Sequence, residues 1–228
     1  VTIDQVPAHM INAIIAAEDK NFYNHTGIDF VALAKAFLEG VQNGFVFRRG
    51  GSTITQQTVK NVVGRWERTF TRKFREIILA MQLERLYTKR QILEFYLNQF
   101  HVAHNGNGIG IAARYYFDKD VKELSLVDSA FIAGSVKAPS RYNPYTKNTK
   151  ERREQAILDA NQRKNYVIRR MNEQGWIDDE EYVQALEEAI DFNRGKFRSQ
   201  EVSLVQLVRE ALDQPSILEN LGVASLDD

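Results

Sequence analysis

The chain has 228 residues and is 43% apolar, which suffices for one substantial domain and excludes a disordered chain. Thirty Lys and Arg balance thirty Asp and Glu, so no global charge favours nucleic acid as a partner. There is no cysteine, which excludes disulfides and thiolate metal sites, and no apolar run of about 18 residues, which excludes a membrane-spanning helix within these residues.

Helical periodicity dominates and strands are scarce, so the fold class is all-α. Pro7 suits a first helical turn, after which Ile11, Ile14 and Ile15 form an apolar stripe ending near Ala17. Residues 30–41 repeat the pattern, with Phe30, Leu33, Ala34, Phe37, Leu38 and Val41 on one face. The loop over 42–51 carries Phe45, Val46 and Phe47 beside Arg48 and Arg49. That run suits a surface that touches lipid, and equally a loop folded back on its own domain. Thr53 and Gln56 have the spacing of a capping box, which predicts a helix toward Val63. A longer helix covers 69–86, with Phe70, Phe74, Ile77, Ile78 and Met81 expected on its buried face. Thr88 and Gln91 form a second capping box, opening a helix through Asn98.

A Gly-rich loop over 104–110 precedes a helix through Phe117. Residues 124–136 are helical, and 138–144 form a turn-rich break. A long helix over 150–175 stops near Gly175, and a short one follows from Asp178 to about Ile190. The tail after Asn193 holds one amphipathic segment, 202–212. Between residues 45 and 100, eleven Lys and Arg face four Glu. A basic middle of this kind suits an anionic ligand, and equally a solvated helix face.

Three places carry more chemistry than a core requires. EDKNFYNHTG (18–27) puts two adjacent carboxylates and a histidine at the end of an apolar helix. Glu18 lies three and four residues beyond Ile15 and Ile14, so helical spacing places it on their stripe. A carboxylate there is paired or desolvated, and desolvation raises its proton affinity into the range of a general base. The alternative is a helix that has already ended, with Glu18 exposed. GGSTITQQTVKN (50–61) opens a helix whose free N–H groups suit phosphate, although a cap needs no such run of amides. On the helix over 69–86, Arg72, Lys73 and Glu76 share a face opposite Phe74 and Ile77. Spacing alone makes them surface ion pairs. His101 and His104 are spaced i, i+3 without an evident carboxylate partner, which makes zinc a poor reading of that pair.

Together with RKFREIILAMQLE (72–84), KRQILEFYLNQFHVAHNGNGIGIAARYYF (89–117) and LSLVDSAFIAGSVKAPSRYNP (124–144), these blocks resemble the family 51 peptidoglycan glycosyltransferases. Five ordered motifs carry the resemblance over about residues 7–189; ANQRKNYVIRRMNEQGWIDDEEYVQA (160–185) resembles the family's terminal helices. The HVAHNGNG loop departs from the pattern, and Asp128 stands where a Glu is common.

The resemblance implies a lysozyme-like globular lobe with a smaller, membrane-facing jaw, and a domain over 1–192 followed by a linker from 193 to 228. It makes Glu18 the base that deprotonates the acceptor 4-hydroxyl and Glu76 the second active-site carboxylate. It assigns substrate contacts to Asp19, His25, Ser52, Thr53, Gln57, Lys60, Asn61, Arg68, Arg72, Lys73 and Asn98, with Lys73 on the donor's pyrophosphate. No cofactor is implied as tightly bound, but a divalent cation, Mg²⁺ or Mn²⁺, would assist at the pyrophosphate. The implied partners are lipid II, the growing glycan strand, the membrane surface and a cell-wall synthesis complex. The implied location is the outer, periplasmic face of a bacterial inner membrane, held by an anchor outside these residues. The chain starts mid-pattern at Val1, which reads as a piece of a longer protein. Two rival readings are a lysozyme-like glycan-cleaving enzyme and a non-catalytic lipid II-binding scaffold. The STITQQ block and Lys73 oppose the first. Glu18 and Glu76 oppose the second, and the altered loop is its best support.

Overall fold

In the computed structural model, residues 1–42, 51–63, 70–102 and 106–195 are described, and Val1–Gly195 forms one compact unit. The expected lipid-facing triplet at 45–47, Arg68, His104 and the amphipathic segment at 202–212 lie outside the described residues. Among those described, the elements are helices and no strand is present; one isolated bridge pairs His101 with Asn107. The all-α expectation holds.

Helix α1 (Ala8–Glu18) starts after Pro7, whose carbonyl takes the N–H groups of Met10 and Ile11. Met10, Ala13, Ile14 and Ile15 are fully buried, which makes α1 the centre of the core. Helix α2 (Phe30–Gln42) is capped by Asp29, whose Oδ1 accepts from Ala32 N at 2.8 Å. Its apolar stripe is not buried: Phe30, Val31, Leu33, Leu38 and Val41 are all exposed.

Helix α3 (Ile54–Val63) opens with the predicted capping box. Thr53 N donates to Gln56 Oε1 at 3.0 Å, and Gln56 N returns to Thr53 Oγ at 3.1 Å. Helix α4 (Phe70–Leu86) and helix α5 (Lys89–Gln99) pack against α3, and the box at Thr88 and Gln91 is present. The buried face of α4 differs from expectation. Phe74 is 65% exposed, whereas Glu76 and Ala80 are buried. Residues 73, 76, 80 and 83 form one helical stripe, and that stripe faces α3 and a polar cleft. The side chain facing inward at this point is therefore a carboxylate, and Phe74 turns out.

Helix α6 (Ile109–Phe117) follows the departing loop, of which residues 103–105 lie outside those described. Val102 N donates to Gly106 O, and Gly108 N donates to Phe100 O. Gly108 has φ +92°, and a Cβ there would lie 2.7 Å from the Asn98 carbonyl oxygen. Glycine at 108 is thus what lets the backbone there lie against the end of α5.

Helix α7 (Leu126–Ser135) is buried along its length, with Asp128 N held by Ser125 and the Asp128 carboxylate paired with Lys119 at 2.6 Å. The long α8 (Lys150–Glu173) packs on α1, α7 and the terminal α9 (Asp179–Glu187). Lys164 of α8 is buried and donates to the carbonyls of Ala185, Leu186 and Glu188, at 2.7, 3.3 and 2.5 Å. It caps the α9 C-terminus with a cation, the sign the helix dipole favours.

Candidate active site

A cleft of about 1060 Å³ is lined by the end of α1, the start of α3, the face of α4 and one side of α8. Glu18, the last residue of α1, opens onto it. Its carboxylate Oε2 accepts from Gln57 Nε2 at 3.0 Å, and no cation forms an ion pair with it among the described residues. Burial raises its proton affinity above the ordinary carboxylate range; the Gln57 hydrogen bond and the fields of Arg163 and Lys137 offset this only in part. The helix therefore includes Glu18, and the reading with an ended helix and an exposed side chain is not the one adopted.

Asp19 turns the other way. It is buried; its Oδ2 accepts from Ile54 N at 3.0 Å and from His25 Nε2 at 2.9 Å. His25 Nδ1 in turn accepts from Gly27 N at 3.2 Å, which places the ring proton on Nε2. Asp19 thus ties the end of α1 to the first backbone N–H of α3, an N-terminal cap supplied from a distant segment.

Gly27 completes this junction. Its carbonyl accepts from Thr53 Oγ at 2.7 Å, its φ is +94°, and a Cβ would lie 2.9 Å from the Ala80 carbonyl of α4. Only glycine tolerates both the backbone conformation and the close approach.

The polar run on α3 divides between two tasks. Thr55, Gln56 and Thr58 are buried and form an internal seam. Thr55 Oγ donates to Glu84 Oε1 at 2.6 Å, the same oxygen that Lys89 Nζ meets at 2.7 Å, and Lys89 lies 4.4 Å above the Phe22 ring. Ser52, Thr53, Gln57 and Lys60 line the cleft. From α4, Lys73 Nζ donates to Glu76 Oε1 at 2.5 Å and to Ser52 Oγ at 2.9 Å. This fixes an ammonium group on the cleft wall, with its third proton unassigned among these contacts.

Of the residues expected at the site, the cleft gathers Glu18, Asp19, Ser52, Thr53, Gln57, Lys60, Lys73 and Glu76. His25 stands behind Asp19. Asn61 is exposed and does not line the cleft. Asn98 does not line it either: its amide donates to Val1 O at 2.8 Å and accepts from Val1 N at 3.1 Å. Arg68 and the side chain of Arg72 lie outside the described residues. Sequence reasoning missed Lys137, Arg163, Tyr166 and Arg170, which line the cleft from the end of α7 and from α8. Residues 163, 166 and 170 share one helical stripe, but nothing in the sequence says which element that stripe faces.

Among the described residues there is no cluster of three His, Cys, Asp or Glu, and Glu76 Oε1 accepts from Lys73.

With this geometry in view, the comparisons with known proteins are specific. The family model described as Transglycosylase matches residues 1–172. The chain belongs to that family and is a glycosyltransferase domain. It is similar to penicillin-binding protein 1A of Aquifex aeolicus, 41% identical over 209 residues, covering 90% of this chain and 27% of the relative. The same protein of Escherichia coli is 40% identical over 193 residues, covering 85% and 22%. A solved structure of penicillin-binding protein 1A from Haemophilus influenzae aligns with a TM-score of 0.48 at 25% identity, covering 97% of this chain and 21% of that one. The chain spans about a quarter of the length of the curated relatives it matches.

Proposed function

We propose that this domain polymerises lipid II into β-1,4-linked glycan by one inverting displacement. The observation that carries the reading is Glu18: a desolvated carboxylate with no ion-pair partner among the described residues, steered by Gln57, in the same cleft as an anchored ammonium. A carboxylate with raised proton affinity can take a hydroxyl proton at neutral pH. The acceptor 4-hydroxyl loses its proton to Glu18 as its oxygen bonds C1 of the donor sugar, and the C1–diphosphate bond breaks. No covalent enzyme intermediate is needed. Lys73, oriented by Ser52 and Glu76, supplies positive charge where negative charge grows on the leaving diphosphate. Lys60, also on the cleft wall, adds to that field. No step is routed through a divalent cation.

The membrane surface enters as a partner through α2. Its exposed Phe30, Val31, Leu33, Leu38 and Val41 make an apolar face suited to the interface where a lipid-linked substrate resides. The periplasmic face of the inner membrane is the location consistent with that substrate, and among the described residues no helix is long and apolar enough to cross a membrane.

The test is incubation of the chain with labelled lipid II in detergent, alongside incubation with preformed glycan. The proposal expects long polymer that muramidase digests, and intact preformed glycan. Shortened glycan with no polymer would establish the cleaving enzyme instead.

A further inference from the structure

Helix α2 presents two sides to two different surroundings. Phe30, Leu33, Leu38 and Val41 form its exposed apolar side. Val31, Ala32 and Lys35, on the other side of the helix, line the cleft that Glu18 opens onto. Among the described residues no other helix packs extensively on α2. Its first turn is fastened at its foot, where Gly27, Ile28 and Asp29 are buried.

Both carboxylate oxygens of Asp29 are engaged. Oδ1 accepts from Ala32 N of α2 at 2.8 Å, and Oδ2 accepts from Asn21 Nδ2 at 2.6 Å. Asn21 belongs to the loop that leaves Glu18, and that loop is pinned to the lobe. The next residue, Phe22, is fully buried and donates its N–H to Asp19 O at 3.0 Å. One carboxylate therefore holds the helix with one oxygen and the loop with the other. A helix cap needs only the first. Burial pushes the Asp29 carboxyl up, but hydrogen bonds from Ala32 N and Asn21, the field of His25 and the Val31 N–H outweigh it and leave it below the ordinary range. The acceptor is thus ionised at neutral pH, which strengthens the bond from Asn21.

We propose that Asn21 and Asp29 are positioning residues: their hydrogen bond fixes α2 against the loop that carries Glu18, so that one side of the helix serves as cleft wall while the other lies on lipid. The proposal rests on the glycosyltransferase reading of the cleft and on α2 as the membrane contact. A lipid-linked substrate passes from that surface to Glu18, and the angle between helix and loop sets how it enters.

Asn21→Asp, made in the full chain, sets two carboxylates against each other. The reversed pair, Asn21→Asp with Asp29→Asn, restores a donor opposite an acceptor and keeps a capping side chain on α2. The chain has no cysteine, so Gln42→Cys at the far end of α2 and Gln162→Cys on α8, both exposed positions, can carry spin labels for a distance measurement. With the native pair the distance distribution is narrow. Asn21→Asp broadens or shifts it, and the reversed pair returns it. In polymerisation kinetics Asn21→Asp raises KM for lipid II about fivefold or more and changes kcat by less than about twofold, and the reversed pair recovers KM. Co-sedimentation with phospholipid vesicles stays unchanged, because the apolar side of α2 is intact. If Asn21→Asp does not fold, Asn21→Ala, which removes the donor and adds no charge, carries the same comparisons.

An unchanged distance distribution and an unchanged KM in folded Asn21→Asp overturn the proposal. A broadened distribution with unchanged KM makes the contact structural only and overturns the positioning role, and so does a reversed pair that rescues neither reading. Absence of polymer from the wild-type chain would refute the glycosyltransferase reading, whereas the distance measurement decides on the Asn21–Asp29 contact by itself.

Discussion

At the scale of single residues, Glu18 and Asp19 are adjacent carboxylates with divergent fates. Asp19 accepts two hydrogen bonds and is tied into the scaffold, whereas Glu18 accepts one and is left to burial. The sign of the Glu18 effect is definite. A carboxyl whose folded pKa is raised binds its proton more tightly folded than unfolded, so its contribution is fully present below the unfolded value and lost as pH rises through the folded one. Ionised Glu18 therefore works against folding at neutral pH. Glu18→Gln is expected to leave Tm unchanged or raise it by about 1–3 °C in a thermal melt at pH 7. A fall of several degrees would mean that the carboxylate is a structural group. Gln57 supplies the hydrogen bond that opposes the upward shift. Gln57→Leu should accordingly move the acid limb of the rate profile to higher pH, read from kcat/KM between pH 5 and 8; no displacement, or one to lower pH, would contradict the assigned partnership.

At the scale of elements, the junction of α1, α3 and α4 explains why the first two motifs travel together. Asp19 caps α3, Thr53 binds Gly27 O, and Gly27 abuts the α4 backbone at Ala80. Gly27→Ala is expected to destabilise the domain by about 2 kcal/mol or more, from a strained positive φ and a forced shift of α4. Chemical denaturation measures this, and an effect below about 0.5 kcal/mol would remove Gly27 from the argument. Much of this level was legible in the sequence. The capping boxes at Thr53 and Thr88 fixed two helix starts, because capping is local and depends on residues three apart. The face of α4 was not legible: periodicity expected Phe74 inside, but the stripe that packs carries Glu76 and Ala80, since a polar cleft replaces part of the core there. The same limit hid Arg163 and Arg170, whose partners Gly134 and Ala16 lie 29 and 154 positions away. Thr55, Gln56 and Thr58, in the same polar run as Gln57 and Lys60, are buried, where a helix must satisfy its own hydroxyls and amides first.

At the scale of the molecule, α8 is the spine: it packs on α1 and α7, lines the cleft and holds α9 through Lys164. Beyond α9 the chain returns to the core, where Phe192 stacks on Phe117 with centroids 6.2 Å apart and Asn193 N donates to Tyr116 O. The surface is uneven in kind, since the apolar stripe of α2 stays exposed while the Met10, Ala13, Ile14 and Ile15 face of α1 is buried. Replacing Phe30 and Leu38 together by Ser should weaken binding to phospholipid vesicles by about tenfold or more, each burial contributing roughly 1.5–3 kcal/mol when complete. Vesicle co-sedimentation reads this, and unchanged partitioning would exclude α2 as the membrane contact. The central claim is that Glu18 is the base of a lipid II polymerase, and the polymerisation rate of Glu18→Gln against wild type across pH 5–8 tests it most directly. The account predicts a loss of about 10²–10⁴-fold at neutral pH, with the acid limb of the wild type absent from the variant. A Glu18→Gln protein that polymerises at a wild-type rate, or keeps the same acid limb, would place the base elsewhere.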